Sequence, residues 1–257
     1  VENSENALNI AAGQQGMLRF NGEVDNLRVV REMTFNADTY LISEKIRVVN
    51  TTDQARSVRV SYTVAADASN AAGDRYDAMR LAWDNDGSLG EESSPKTLET
   101  TGSLVTGKIY WAGTMSTYFL AAVLPGDINN VTVKGRMQQN VFRAAIEEPE
   151  VMLGPGQERE LTVSYWLGPK ERAKLAAVSD QLSKSIDLGM FHVIAKGLLW
   201  LLEFFQKYVN NWGVAIILLT VLIKALFWPL TAKSYASMEK MKKLQPMMKK
   251  LREKHKD

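Results

Sequence analysis

The sequence predicts a mainly β domain of the antiparallel sandwich or barrel type, followed by α-helical segments that lie on, cross and leave a membrane. Three observations predict it. Short runs rich in branched residues recur from Met17 to Leu167, with turn clusters between them. After Pro169 the apolar spacing becomes helical. Further on, the 19 residues from Gly213 to Thr231 hold a single charged side chain, Lys224.

Residues 1–16 are polar and rich in Asn and Gln, and read as a loose lead-in. The β domain is expected over 17–167. Its clearest strands are Leu27–Arg31, Tyr40–Val49 and Ser57–Val64, the last with apolar residues at even positions; further candidates are Leu104–Trp111, Tyr118–Val123, Asn130–Gly135 and Glu160–Trp166. Asn50–Asp53, Asp84–Gly87, Pro125–Asp127 and Gly154–Gly156 read as turns, and Asp67–Asp74 and Ser88–Thr101 as loops. Many short strands punctuated in this way argue for two packed antiparallel layers or a barrel.

A linker helix is expected within 168–190, because Leu175, Val178 and Leu182 recur three and four residues apart. Residues 191–211 predict an amphipathic helix in the plane of a membrane interface. Lys196, Glu203 and Lys207 share one narrow face, Trp200 and other large apolar residues cover the rest, and the uncharged run is too short to cross a bilayer. A core helix docked on the β domain is the plainer reading. Residues 212–231 predict a transmembrane helix. Nineteen helical residues reach about 28 Å, close to the hydrocarbon thickness, and Trp212 and Trp228 stand where interfacial aromatic belts sit. Pro229 is tolerated there or marks a bend.

Residues 232–257 read as a basic helix that Pro246 interrupts or restarts. They carry nine basic residues against three acidic ones, a surplus of six in a chain of net charge +2, so the first 231 residues carry −4. The lysine-heavy flank belongs in the cytosol by the positive-inside rule, which puts the β domain outside, in the periplasm of a bacterium. No basic and apolar leader opens the sequence at Val1, so export implies an anchor upstream of it. Cysteine is absent, which excludes disulfides, thiolate metal sites and cysteine nucleophiles.

Lys224 is the most informative residue. By helix rise it lies about 10 Å from the cytosolic edge of the span. An ionisable group inside a span costs about 2.5–3.5 kcal/mol on insertion-derived scales. The plain reading is snorkelling, with the amine extended to the headgroups. The functional reading is a cation facing a wet cavity that attracts acidic or polar stretches of a client chain. Thr220, one turn earlier, either helps to hydrate that cavity or bonds its own backbone. In the tail, Met238, Met241, Leu244, Met248 and Leu251 make an apolar stripe on a helix that also carries Lys233, Lys240, Lys242 and Lys243. Methionine surfaces adapt to varied partners. The plainer reading is one arm of a helical hairpin with its lysines beside anionic lipid.

Catalytic constellations are poor. The histidines are His192 and His255, both outside the β region, and they assemble no metal cluster or serine triad. Gly102-Ser103-Leu104-Val105-Thr106-Gly107-Lys108 matches the front of a phosphate-binding loop, but Ile109-Tyr110-Trp111 continues as a strand where that loop needs a helix. No cofactor and no catalytic residue is predicted.

Asn211-Trp212-Gly213, the span with Thr220 and a cation at 224, Pro229-Leu230-Thr231, Tyr235, Ser237-Met238, Lys240-Met241 and Leu244-Gln245-Pro246 together resemble the second transmembrane helix and first cytoplasmic helix of the YidC/Oxa/Alb family of membrane-protein insertases. Leu167-Gly168-Pro169-Lys170, and Tyr118-Phe119 with Pro125, resemble the periplasmic domain of its Gram-negative members. The resemblance implies a periplasmic β-supersandwich similar to sugar-binding and mutarotase folds. It also implies five core helices around a hydrophilic groove. Nascent membrane proteins, the Sec translocon, the ribosome or signal recognition particle, and anionic lipids are the implied partners, with no sequence-specific nucleic-acid binding. A groove arginine of the family is matched here by Lys224, which keeps the charge and loses the bidentate fork. One helix cannot enclose a groove, so this segment is not expected to insert proteins alone. Two other classes remain: a single-pass, membrane-tethered periplasmic binding module, and a mutarotase-like enzyme, which the lack of histidine from residues 1–167 disfavours.

Overall fold

The computed structural model describes residues 2–3, 8–67, 79–186 and 192–254. Of the expected loop Asp67–Asp74, everything after Asp67 lies outside the described residues, as does His255. The chain divides into two compact units, Val1–Ile186 and Asp187–Asp257.

The first unit is antiparallel throughout. Its strands are β1 (Glu2–Asn3), β2 (Gln15–Val24), β3 (Leu27–Asn36), β4 (Leu41–Asn50), β5 (Arg56–Val58), β6 (Ser61–Asp67), β7 (Arg80–Asn85), β8 (Ser88–Glu92), β9 (Ser103–Gly107), β10 (Ile109–Met115), β11 (Phe119–Pro125), β12 (Val131–Gln138), β13 (Val141–Glu147), β14 (Val151–Leu153) and β15 (Glu158–Pro169). Nine of them form one sheet in the order β1-β2-β3-β4-β15-β11-β10-β7-β8; β6-β13-β12-β9 form a second sheet, and β14-β5 a short pair.

Alternation decides which side chains meet between the sheets. Ile46 and Val48 of β4, Leu161 and Val163 of β15, Tyr62 and Val64 of β6, Val131 and Val133 of β12, and Phe142 and Ile146 of β13 are all buried in one cluster. Tight two-residue turns set the registers. Asp25-Asn26, Asp86-Gly87 and Gln139-Asn140 all have positive φ, and each lies between strand ends that pair directly. This is the mirror-image turn whose twist suits a hairpin, and it favours Asn, Asp and Gly.

The far face of the large sheet is covered by helices. Trp111, Met115, Leu120, Ala122 and Trp166 pack there with Leu175 and Leu182. These leucines come from two short helices, α2 (Arg172–Val178) and α3 (Asp180–Ser183), following α1 (Pro95–Thr100) in the chain. The expected single linker helix is therefore broken in two. Ser179 breaks it by adopting extended backbone and accepting the Gln181 N–H at 3.2 Å through its side chain. The apolar spacing was that of a docked face, with Leu175 and Leu182 fully buried. The Trp111 indole N–H ties α3 down by donating to the Gln181 carbonyl at 3.0 Å.

Three other expectations are corrected. Ser57–Val64 is two strands in different sheets, β5 on β14 and β6 on β13. Leu104–Trp111 likewise divides at Lys108 between β9 and β10. Ser88–Thr101 is no loop: it holds β8 and α1, which Ser94 caps by accepting from the Thr97 N–H, with Pro95 in the first turn.

Asp84, buried at the start of the β7–β8 turn, accepts the Gly87 N–H at 2.7 Å through Oδ1, while Oδ2 has no hydrogen-bond partner among the described residues. Burial pushes its carboxyl above the usual range, against the pull of the Gly87 N–H and Lys184. The native state thus holds this proton more tightly than the unfolded chain does. The stabilisation is full below the ordinary Asp pKa and fades as pH rises through the raised one. Asp84→Asn keeps the acceptor and removes the charge. In chemical denaturation of the detergent-solubilised chain, the variant is expected to gain stability relative to the parent as pH rises from about 4 to 8. A pH-independent difference would contradict this.

Candidate functional site

The second unit holds two helices, α4 (His192–Val209) and α5 (Trp212–Lys254). Two asparagines join them. Asn210 takes the left-handed conformation (φ 51°) that ends α4, and its N–H donates to the Gln206 carbonyl at 2.7 Å. Asn211 then caps α5, its Oδ1 accepting from the Gly213 N–H at 2.8 Å and the Val214 N–H at 3.3 Å. So short a connection makes the helices antiparallel neighbours. Burial agrees. Leu199, Leu202, Phe205 and Val209 of α4 are half-buried, as are Leu219 and Ile223 of α5, and Ala215 is fully buried. Alanine there lets the two backbones approach closely.

The remaining surface of α4 separates into two stripes. Lys196, Glu203 and Lys207 are exposed on one. Beside them Trp200, Phe204 and Tyr208 form an exposed ladder, with ring centroids 5.9 and 4.9 Å apart. This ladder was not singled out from sequence, although the spacing of four was legible.

Among the described residues one helix, over Trp212–Met238, is long and apolar enough to cross a membrane. Trp212 opens it and Trp228 follows after about 24 Å of helix rise, both exposed. Lys224 is exposed, and no carboxylate among the described residues pairs with it. Thr220 donates its hydroxyl to the Ile216 carbonyl at 2.8 Å, and Thr231 does the same to Phe227 at 2.9 Å. Of the two readings left open for Thr220, its own backbone takes the hydroxyl proton, and the oxygen keeps a lone pair to offer. At 100° per residue, Gly213, Thr220, Lys224 and Thr231 fall on one face, centred about 120° round the helix from the Ala215, Leu219 and Ile223 strip that meets α4. Within 213–231 the threonines and Lys224 are thus gathered on a side turned away from α4.

α5 continues without a break to Lys254, through Pro229 and Pro246. The expected interruption at Pro246 does not occur. Proline removes one backbone bond, and the helix-forming residues on either side carry the helix past it. Lys233, Met241 and Leu244 are exposed along this stretch. The side chains of Lys240, Lys242, Lys243 and Met248 lie outside the described residues. Among the described residues no group of His, Asp and Glu side chains is arranged to hold a metal ion.

In the first unit a polar cluster lies beneath the inner face of the large sheet. The Glu44 carboxylate, fully buried, accepts from Arg31 Nε and, at 2.7 Å, from the Tyr165 hydroxyl. Burial first, then Glu44, pushes the Tyr165 phenol up, and the bond to Glu44 raises Arg31. A second buried carboxylate, Glu148, contacts the Tyr62 hydroxyl at 3.3 Å and Arg159 at 3.5 Å. Both clusters escaped sequence reading, because each tyrosine lies 86 or 121 residues from the carboxylate it meets.

A β unit followed by a helical pair, one arm of which is long and apolar enough to cross a membrane, is the architecture of a membrane-tethered protein. The family described as "YidC periplasmic domain" matches residues 2–201, and "60Kd inner membrane protein" matches residues 204–257. The chain belongs to the YidC family of inner-membrane proteins. Its relatives named "Membrane protein insertase YidC" include those of Nitratidesulfovibrio vulgaris strain Miyazaki F (53% identity over 97% of this chain and 46% of the relative), Maridesulfovibrio salexigens (48%, over 97% and 46%) and Pelobacter propionicus (35%, over 98% and 47%). The chain thus spans about half the length of the curated relatives it matches. Among solved structures, a putative aldose 1-epimerase from Klebsiella pneumoniae aligns over 68% of this chain and 56% of its own at 12% identity, with a TM-score of 0.45, too distant to bear on function.

Proposed function

We propose that this chain is the periplasmic domain and the first part of the membrane core of a membrane-protein insertase, and that Lys224 attracts polar or acidic stretches of client proteins into the bilayer. The observation that carries this reading is the lone cation of the apolar stretch 213–231, gathered with Thr220 and Thr231 on a face turned away from α4. That face is free to line a wet cavity once further helices enclose it. A lysine amine there draws carboxylates and carbonyl oxygens with little directional demand, which suits clients of varied sequence.

In this reading 168–190 leads out of the periplasmic domain of residues 17–167. α4 lies in the periplasmic interface with Trp200, Phe204 and Tyr208 toward lipid, residues 212–231 span the membrane, and 232–257 enter the cytosol. The lysines at 233, 240, 242 and 243 meet anionic headgroups, the ribosome or the signal recognition particle, while Met241, Leu244 and Met248 pack on a partner helix. The Sec translocon is a further partner of the assembled insertase. Support for the orientation comes from the charge surplus of the tail.

In cells whose insertase contains this segment, Lys224→Leu is expected to reduce insertion of clients with acidic translocated tails by about fivefold or more, the factor equivalent to about 1 kcal/mol of lost attraction. Lys224→Arg is expected to preserve insertion. Normal insertion by Lys224→Leu at normal protein level would leave the amine as a snorkelling group. The chain held in neutral-lipid nanodiscs is also expected to bind ribosomes or anionic vesicles at about 0.1 M salt and to release them towards 1 M, where the screening length falls from about 10 to 3 Å. Binding that survives that change would exclude an electrostatic role for the tail.

A further inference from the structure

The four-stranded sheet turns one face to the core and the other outward. Alternation sends Phe142, Ala144 and Ile146 of β13 and Val131, Val133 and Met137 of β12 inward, where all six are buried. The residues between them face out, among them Lys134 and Arg136 of β12 and Arg143, Ala145 and Glu147 of β13. The hairpin register sets Arg136 directly opposite Arg143, and Lys134 opposite Ala145. On its other side Arg143 stands opposite Ala65 of β6. Directly opposed residues have Cβ atoms about 4.5–5.5 Å apart, and like charges placed there repel.

Everywhere else in the described strands, directly opposed charges have opposite signs. Glu23 faces Arg28, Arg19 faces Glu32, Glu32 faces Lys45 on its other side, and Arg47 faces Glu160. Arg136 and Arg143 are the one like-charged pair among the described residues. Nothing in the sheet relieves them. Glu147, on the same face, takes the Lys134 amine at 2.7 Å and lies 3.9 Å from Arg59. Asp67, at the corner of the face, is engaged elsewhere. Among the described residues no carboxylate forms an ion pair with Arg136 or Arg143, and both are exposed. Their neighbours across the strands, Ala65 and Ala145, are short, so the two guanidinium groups stand above a flat platform.

We propose that this face docks on the phosphate headgroups of an anionic lipid surface. Two guanidinium groups on adjacent strands offer paired donors to phosphate oxygens, which arginine meets better than lysine does. A phosphate between them turns their repulsion into attraction to a shared partner, and Lys134 adds to the field. The chain itself argues for lipid as the occupant. It carries a helix, over Trp212–Met238, long and apolar enough to cross a bilayer. Such an anchor keeps the unit at high effective concentration beside lipid, so a contact made by three basic side chains suffices. A protein captured from solution needs an apolar centre to its interface, and the short side chains around the arginines supply none. The inference rests on the span of the proposed function and not on Lys224.

The test uses the whole chain in nanodiscs, with a headgroup spin-labelled lipid as quencher. The chain has no cysteine, so a fluorophore is placed at Gln138→Cys, two residues beyond Arg136 on the same face, or at Asn21→Cys on the large sheet, both exposed. At about 0.1 M salt, quenching at Gln138→Cys is expected to be at least about twofold stronger in discs holding phosphatidylglycerol than in neutral discs. Towards 1 M salt, where the screening length falls to about 3 Å, the difference should vanish. Asn21→Cys should show no difference. Arg136→Gln with Arg143→Gln should abolish it, and Arg136→Lys with Arg143→Lys should keep most of it. The glutamine pair also removes the repulsion, so its thermal midpoint should be no lower than the parent's, which separates lost docking from lost folding. Equal quenching in the two kinds of disc, or a difference that the glutamine pair retains, would overturn the proposal. So would loss of the difference when inorganic phosphate replaces chloride at equal ionic strength, because the arginines would then belong to the free anion. Polyglutamate binding that needs both arginines, with no lipid difference, would give the face to an acidic protein instead. A chain that does not enter the discs would overturn the span and the docking together, whereas an inserted chain that fails to dock leaves the span standing.

Discussion

The N-terminal unit depends on one constraint: a nine-stranded sheet exposes two apolar faces, and both have to be covered. The four-stranded sheet covers one face over β15, β11, β10 and β7, and the buried cluster around Tyr62, Ile146 and Val163 lies between them. α2 and α3 cover the other, through Leu175 and Leu182 against Trp111 and Trp166. Burying side chains of this size contributes about 1.5–3 kcal/mol each, which is why two short helices of seven and four residues persist where neither would stand alone in water. The second sheet is narrower than the first, so it covers only part of the first sheet's inner face. Glu44 sits at that boundary. Its charge is tolerated because Arg31 and Tyr165 both bond to it.

A different constraint governs the helical hairpin. α5 is apolar on nearly all sides over its first turns, and α4 covers only the strip at Ala215, Leu219 and Ile223. Lipid or further helices must supply the rest. In such surroundings the hydroxyls of Thr220 and Thr231 are satisfied within the helix itself, which lowers the cost of burying them. Lys224 has no such internal solution. Its ammonium group has three protons to donate and no helix carbonyl free to take them, so it selects a wet or anionic environment.

Legibility from sequence followed the range of the interactions. Strands whose alternation is local, such as β4 and β12, stood out, as did the apolar run of α5 and the face at Leu175, Val178 and Leu182. The errors came where distant partners decide. Ser57–Val64 reads as one run, yet β14 claims its beginning and β13 its end. Ser94-Pro95 was a helix start hidden inside a polar stretch, and Pro246 looked like a stop in a helix that passes through it. For the site, Lys224, Thr220 and the three tryptophans were visible as composition. The buried carboxylate clusters were invisible, since the fold alone brings their members together.

The central claim is a span over residues 212–231 with its lysine-rich end in the cytosol. Because the chain has no cysteine, single substitutions report topology directly. In cells with a permeable outer membrane, a membrane-impermeant maleimide is expected to label Thr100→Cys at once and Ser237→Cys only after the inner membrane is opened. Labelling of Ser237→Cys in intact inner membranes would contradict the claim.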